Sequence, residues 1–326
     1  MLRRSGWGWL GGALLLLSLL AACGQPDAGL TRAGAAPSGR ILFAQKGDIS
    51  LWQGGKIQQV THLGDASAPS WAPDGQRFVF VRTGDGWSDL FVGQLGGDQY
   101  QQLTHDRPNG QIGTQAFVDN ASWALDPDWS PSGDTIAYVS DLGTQLNFLW
   151  LIQGLGNQPR QVAASTSNQQ LVEGPSFSPD GSKIVYTQRV QPDSSIDRTT
   201  ELWMVDLESG KATRLVQGGN GSYDPAWSPD GRWIAFVQRT GQQNDLWLVS
   251  AKGGTAVKLT SGPQVVAPAW APDSSSIAFF TPDGEGFDAD YISFSTDSSG
   301  NPQVTQPQTL FKTDGVDAPS GMSWTK

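Results

Sequence analysis

The sequence predicts an all-β fold, a six-bladed β-propeller of four-stranded blades closed by the C-terminal strand joining the N-terminal three strands. Three observations carry this. First, one motif recurs six times: Ser70–Val81 (SWAPDGQRFVFV), Asp128–Val139 (DWSPSGDTIAYV), Ser176–Thr187 (SFSPDGSKIVYT), Asp224–Gln238 (DPAWSPDGRWIAFVQ), Ala269–Phe280 (AWAPDSSSIAFF) and a truncated copy, Ala318–Thr325 (APSGMSWT). Second, the prolines that open the copies, Pro69, Pro127, Pro175, Pro225, Pro268 and Pro319, are 58, 48, 50, 43 and 51 residues apart, near the period of a propeller blade. Third, Arg40–Gln45 (RILFAQ) reads as the second strand of a blade, while the sequence reaches Trp324 in a first strand. The two ends then complete one blade, and the ring has no open edge.

Each element of the unit has a local reason. Ser228, Pro229, Asp230 and Gly231 suit the four places of a tight turn: Pro presets φ, Asp bonds the nearby backbone, and Gly accepts the left-handed conformation. At the equivalent place the copy in Ala269–Phe280 has Ser274, which is expected to be left-handed at a cost of about 1 kcal/mol relative to Gly. The strand after the turn, Trp233–Val237, is apolar on both alternating faces, as a strand covered on both sides must be. The next strand opens on an acid (Asp89, Glu201, Asp245), and the one after it ends in Thr (Thr104, Thr260). Trp71, Trp129, Trp227 and Trp270 occupy one repeat position and are expected to pack between blades.

Residues 1–22 do not belong to this pattern. Arg3 and Arg4 precede an apolar run, Leu10–Leu20, that ends in small residues, the composition of a secretory signal. Leu20-Ala21-Ala22-Cys23 resembles the lipobox of bacterial lipoproteins, which implies that Cys23 becomes the lipidated first residue of the mature chain. Cys23 is the sole cysteine, so neither an intramolecular disulfide nor a cysteine metal cluster can form. Two or more acyl chains give stable anchoring in a bilayer. Gly24 follows the cysteine rather than Asp, which by the same resemblance retains lipoproteins at the inner membrane. The expected location is the outer membrane or the external face of the cell membrane. Residues 23–39 are small, polar and interrupted by Pro26 and Pro37, which makes them a tether, and residues 40–326 form the propeller.

Without residues 1–22 the chain carries 19 basic and 31 acidic side chains, a net charge of −12 with neutral His. That balance argues against nucleic acid and anionic membrane surfaces as partners. His62 and His105 follow the strand-ending Thr at equivalent repeat positions, so register explains them better than a site does. No nucleophile elbow, HExxH pair or phosphate-cradling glycine loop occurs, and no cofactor is expected beyond one candidate ion. Asp283–Asp290 (DGEGFDAD) packs four carboxylates into eight residues, and two readings stand: a solvated acidic loop, or a Ca2+ site held by Asp283, Glu285, Asp288 and Asp290.

The SPDG-type turns, the preceding Pro-x-Trp, the following IAF strand and the closing first strand together resemble the TolB-like propeller family across residues 40–325. Similar repeats occur in the propellers of prolyl oligopeptidases and tricorn-like proteases. The sequence offers a tether in place of the separate N-terminal domain of TolB proteins, and no hydrolase domain after the propeller. The resemblance implies the fold closely and the function only broadly.

Loop lengths carry the remaining functional signal. The turn between first and second strands is short and fixed, whereas the links on the opposite rim vary: Arg82–Ser88, Gln188–Thr200, Thr281–Asp288 and above all His105–Leu125. Long links in compact domains are commonly functional, and aromatic and Arg residues on them serve as anchors for a protein. Trp87, Arg107, Phe117, Asp119, Trp123, Tyr223 and Phe287 are the candidate binding residues, with the alternative that Phe117 and Trp123 fold down over the channel mouth. The leading function is a lipid-anchored, monomeric, non-enzymatic cell-envelope protein that binds an envelope protein or peptide. The alternative is a glycan-binding or glycoside-processing propeller that uses acidic and aromatic rim residues, for which a carboxylate pair at catalytic separation is required.

Overall fold

The computed structural model describes residues 37–108, 111–142, 146–162, 171–190, 199–216, 221–262 and 264–326. Cys23, the apolar run before it and most of the tether lie outside the described residues. Six antiparallel sheets form the blades of a propeller. The first blade holds β1 (Arg40–Gln45), β2 (Asp48–Gln53) and β3 (Lys56–Gln59). The second holds β4 (Ala66–Trp71), β5 (Arg77–Gly84), β6 (Trp87–Gln94) and β7 (Gln101–Gln102). A short helix, α1 (Gln115–Asn120), leads to the third: β8 (Ala124–Trp129), β9 (Thr135–Ser140), β10 (Phe148–Gln153) and β11 (Arg160–Gln161). The fourth is β12 (Leu171–Phe177), β13 (Lys183–Val190), β14 (Thr199–Asp206) and β15 (Ala212–Arg214). The fifth is β16 (Ser222–Trp227), β17 (Trp233–Thr240), β18 (Gln243–Ser250) and β19 (Val257–Lys258).

The sixth blade departs from four strands. It runs β20 (Val266–Trp270), β21 (Ser276–Pro282) and β22 (Phe287–Thr296), and its long third strand then pairs with both β23 (Pro302–Val304) and β24 (Gln308–Phe311). A 3-10 turn, Ala318–Ser320, delivers β25 (Met322–Thr325) to β1, with Arg40 opposite Thr325 and Phe43 opposite Met322. The chain closes its ring in the expected phase.

The double-sided apolar strands explain the core. In β17, Ile234 and Phe236 pack with Val185 and Leu202 of the blade before, while Ala235 and Val237 pack with Ile277 and Phe279 of the blade after. Successive side chains of one strand therefore serve two interfaces. Trp71, Trp129 and Trp270 are buried in such interfaces, and Trp227 is half-buried in another. Arg40 lies over Trp71 and Arg77 over Trp129, at 5.1 and 5.2 Å from the ring centroids.

The tight turns follow the sequence signal. Gly231 N donates to Ser228 O at 2.9 Å, Asp230 Oδ1 accepts from Ser228 Oγ, and Gly231 has φ 75°. Ser274 is left-handed too, with φ 61°. Its hydroxyl has a further task, because the Asp230 N–H of the neighbouring turn donates to Ser274 Oγ at 3.1 Å.

Strand pairing runs into three of the links on the opposite rim. Arg82–Ser88 and Thr281–Asp288 are mostly hairpin, with Gly84 opposite Trp87 and Pro282 opposite Phe287, and the strand pairing in Gln188–Thr200 extends to Val190 opposite Thr199. The second and third strands have no core to leave, so their ladder continues past the blade body for as long as the residues can pair.

Two outcomes follow. Deleting Met322–Lys326 should lower the Tm by on the order of 10 °C, and deleting Gln25–Ser38 by far less, because the first removes a strand and opens the ring; paired thermal melts check this. Ser274→Ala keeps the left-handed strain and loses the bond to Asp230, so it should destabilise by about 1 kcal/mol, whereas in Ser274→Gly relief of strain offsets loss of the bond to within about 0.5 kcal/mol. Denaturant titrations of both variants measure the difference.

Candidate functional site

The inner strand of each blade has a sheet neighbour on one side only, and its free edge faces the ring axis. In five blades that strand carries one extra residue, a bulge between Ser67 and Ser70, Leu125 and Asp128, Glu173 and Ser176, Tyr223 and Ala226, and Val266 and Ala269. At each bulge a left-handed residue precedes the repeat proline: Ala68 (φ 46°), Asp126 (48°), Gly174 (55°), Asp224 (50°) and Ala267 (52°). Proline has no N–H to leave unpaired and so suits an edge that faces open space.

Most other edge N–H groups in this row are taken by side chains from the preceding blade. Trp71 N donates to Ser323 Oγ at 3.0 Å, Trp129 N to Ser70 Oγ at 3.2 Å, Phe177 N to Asp128 Oδ2 at 2.7 Å and Trp227 N to Ser176 Oγ at 3.1 Å. The acceptor is the residue just before the aromatic in its own strand, so the pattern Ser/Asp-Trp/Phe pegs one blade to the next. A second set of pegs starts from the bulge: Asp126 Oδ2 accepts from Gly174 N and Asp224 Oδ2 from Ala267 N, both at 3.1 Å.

The inner strands enclose a channel cavity of about 430 Å³ to which all six blades contribute. Its lining includes Asp126, Asp128, Glu173 and Asp224 and no Lys, Arg or His. Burial pushes the Asp126 carboxyl up, Asp128 to about 6 and Asp224 to about 6, with the negative charges of Asp126 and Glu173 adding to the effect at Asp224. Glu173 is paired with Arg189 at 3.1 Å. The channel is thus rich in acceptors and poor in donors.

All seven candidate rim residues stand at the end of the ring opposite the tight turns. The link after β7 packs against the β5–β6 hairpin: Ser88 Oγ donates to Ala124 O and accepts from Ala124 N, and Trp123 N donates to Asp141 Oδ1 at 2.8 Å. Thr114 caps α1, accepting from Phe117 N. Phe117 is buried and turned towards Gly86, so it serves as the core of this cap and offers no anchor to a partner. Trp87 lies half-buried across Gly84 of its own hairpin. Trp123, Tyr223 and Phe287 are half-buried, and Arg107 and Asp119 are exposed. Tyr223 and Phe287 pack with blade interfaces away from this cap.

The acids elsewhere have local partners. Asp48 Oδ1 accepts from Thr61 Oγ1 at 2.8 Å, Asp89 Oδ1 accepts from Thr104 Oγ1 at 2.8 Å, and Asp245 pairs with Lys258 at 2.7 Å. In the first two blades the acid that opens the third strand and the Thr that ends the fourth therefore form one bracket, beside which His62 and His105 merely follow. The four carboxylates of the acidic loop are not brought together: Asp283 accepts from the N–H groups of Glu285 and Gly286, Asp288 pairs with Lys312, Asp290 accepts from Thr281 Oγ1, and Glu285 is exposed. Among the described residues no group of three or more His, Cys, Asp or Glu is placed to hold a metal ion. No described helix is long and apolar enough to cross a membrane.

Sequence reasoning missed the channel carboxylates. The signal was present, because residues on either side of the repeat proline face the axis, and these include Asp126, Asp128 and Asp224.

Three comparisons bear on the site. The family model for the TolB beta propeller domain matches residues 109–309. An uncharacterized protein of Agrobacterium fabrum is 27% identical over 194 residues, covering 59% of this chain and 57% of that protein. The Tol-Pal system protein TolB of Anaeromyxobacter dehalogenans is 34% identical over 99 residues, covering 30% of this chain and 21% of that protein. The match thus spans little more than half of the one relative and about a fifth of the other. Among solved structures, TolB from Acinetobacter baumannii superposes with a TM-score of 0.64 at 16% identity, covering 88% of this chain and 66% of that one, a likeness of fold.

Asp106, at the start of the capping link, gives a pH test. Burial and the charges of Asp89 and Asp141 raise its carboxyl from 3.8 to about 7. A folded-state value above the unfolded one means the folded chain holds the proton more tightly, so this group's contribution to stability falls as pH rises from about 4 to about 7. Asp106→Asn should therefore melt above the parent at pH 8, with the gap closing towards pH 4; a gap that widens on acidification would contradict the assignment.

Proposed function

We propose, from the premise that the chain belongs to the TolB beta propeller domain family, that it is a non-enzymatic scaffold that binds a protein or peptide at the long-link rim and the mouth of the central channel. The single observation that supports this most is the channel lining: three of the six blades supply carboxylates to it, no Lys, Arg or His enters it, and prolines and pegs remove most of the inner-edge backbone donors. A polypeptide segment that carries cationic side chains complements such a lining and is steered towards it by the chain's net negative charge. The partner then spreads over the exposed Arg107, Asp119 and half-buried Trp123 next to the mouth.

The same reading holds the protein in the cell envelope. Residues 1–22 act as the signal, Cys23 carries the acyl chains, and residues 24–39 tether a monomeric propeller to the outer membrane or the external face of the cell membrane. A catalytic reading for glycosides gains little, because Asp126, Asp128 and Asp224 are engaged in backbone bonds between blades.

Capture from an envelope extract tests the binding face. A soluble form beginning at Gln25 should retain a partner that the Arg107→Glu/Asp119→Lys form loses by roughly tenfold, the effect of about 1.4 kcal/mol. Gln76→Arg on the tight-turn rim should behave as the parent. Equal capture by all three forms, or a loss confined to Gln76→Arg, would place the interaction elsewhere.

A further inference from the structure

The position at which the tether meets the ring carries a consequence for orientation. In five blades a tight turn joins the first strand to the second, and all five lie at one end of the ring. In the closing blade β25 and β1 take the places of first and second strands, with Thr325 opposite Arg40, so residues 37–39 and Lys326 stand where that blade's tight turn would be. The contacts agree: Trp324 Nε1 donates to Ser38 O at 3.1 Å and Arg40 Nε to Lys326 O at 2.9 Å. Pro37, Ser38, Gly39 and Lys326 share a pocket with Pro272 and Asp273 of the adjacent tight turn. The long links, by contrast, leave from the far ends of the strands, which in β5 and β17 run eight residues, a separation of about 26 Å at 3.3 Å per residue.

We propose that this attachment point orients the protein on a membrane: a chain held through Cys23 presents the tight-turn rim to the bilayer and the long-link rim away from it. The inference rests on the lipid-anchored reading given above. Thirteen residues lie between Cys23 and Pro37. A random-coil tether of that length spans about 20 Å on average, less than the height of the ring. Turning the long-link rim to the bilayer requires the tether to run past the blade wall close to its full extension of roughly 50 Å, with the loss of chain entropy that stretching entails. The partner surface is thereby kept open to the space beyond the membrane, and neither rim has to adhere to lipid.

Acylated Cys23 leaves no free thiol, so a single introduced cysteine can be labelled on the intact lipoprotein. Gln76→Cys and Gln99→Cys place a donor dye on the tight-turn rim, and Asp85→Cys and Gln111→Cys place it on the long-link rim; all four positions are exposed. The full-length protein is incorporated in phosphatidylethanolamine/phosphatidylglycerol vesicles that carry an acceptor dye on the headgroups. Energy transfer should be several-fold stronger from both tight-turn positions than from both long-link positions. Equal transfer from the two rims, or stronger transfer from Asp85→Cys and Gln111→Cys, overturns the orientation while flotation with the vesicles leaves anchoring intact. A parent chain that does not float with vesicles, or a Cys23→Ser form that floats as well as the parent, overturns the anchored reading itself and the orientation with it.

Discussion

The inner strand of a blade has a neighbour on one side only, and everything near the axis follows from how its free edge is satisfied. An unpaired N–H in a narrow channel costs on the order of 1–3 kcal/mol when water cannot reach it. This chain answers in two ways. Proline removes the donor at one position, and a side chain from the preceding blade accepts the donor two residues later, as at Trp71, Trp129, Phe177 and Trp227. The same bonds that satisfy the edge also fix each blade against the next, so ring closure and edge satisfaction are one problem with one solution. What is left facing the axis is a surface of carboxylates and carbonyls, and the proposed ligand chemistry is a consequence of the way the ring is held together.

The chain's acidity sorts into three structural tasks on this view. Turn acids such as Asp180 accept from the turn's own Ser and backbone, which holds Asp180 down to about 2. Acids that open third strands bracket the fourth strand through Thr, Gln or a basic residue, as Asp89 does with Thr104 and Gln102. Acids beside the repeat proline peg blade to blade. The first group loses its contribution as pH falls below about 4, and the third, with carboxyls raised towards 6, weakens the fold as pH rises through that value.

The fold was legible because every blade repeats the same local conflict and the same residues resolve it. Pro, Asp and Gly at fixed offsets name the turn, and a strand apolar on both faces has only a stack of blades to occupy. Even the odd turn at Ser274 was readable, since φ depends on chain-local sterics. Its hydroxyl bond to Asp230 was not, because 44 residues separate the partners and only the closed ring brings them together. The site was less legible for the same reason. Phe117 reads as a rim anchor in a link without strand pattern, yet Thr114 caps a short helix there and turns the ring onto Gly86. Asp126, Asp128 and Asp224 hide inside the repeat that identifies the fold, where they look like turn or strand spacers until the bulge aims them at the axis.

Native-state hydrogen exchange tests the pegged edge most directly. The account predicts that the backbone amides of Trp71, Trp129, Phe177 and Trp227, although on the channel side of the inner strand, exchange only through large-scale opening. At the equivalent position of the sixth blade the preceding blade offers Ala226, whose side chain has no acceptor, so the Trp270 amide should exchange markedly faster. Uniform exchange across all five amides, fast or slow, would contradict the claim that side-chain pegs from blade to blade satisfy the inner edge.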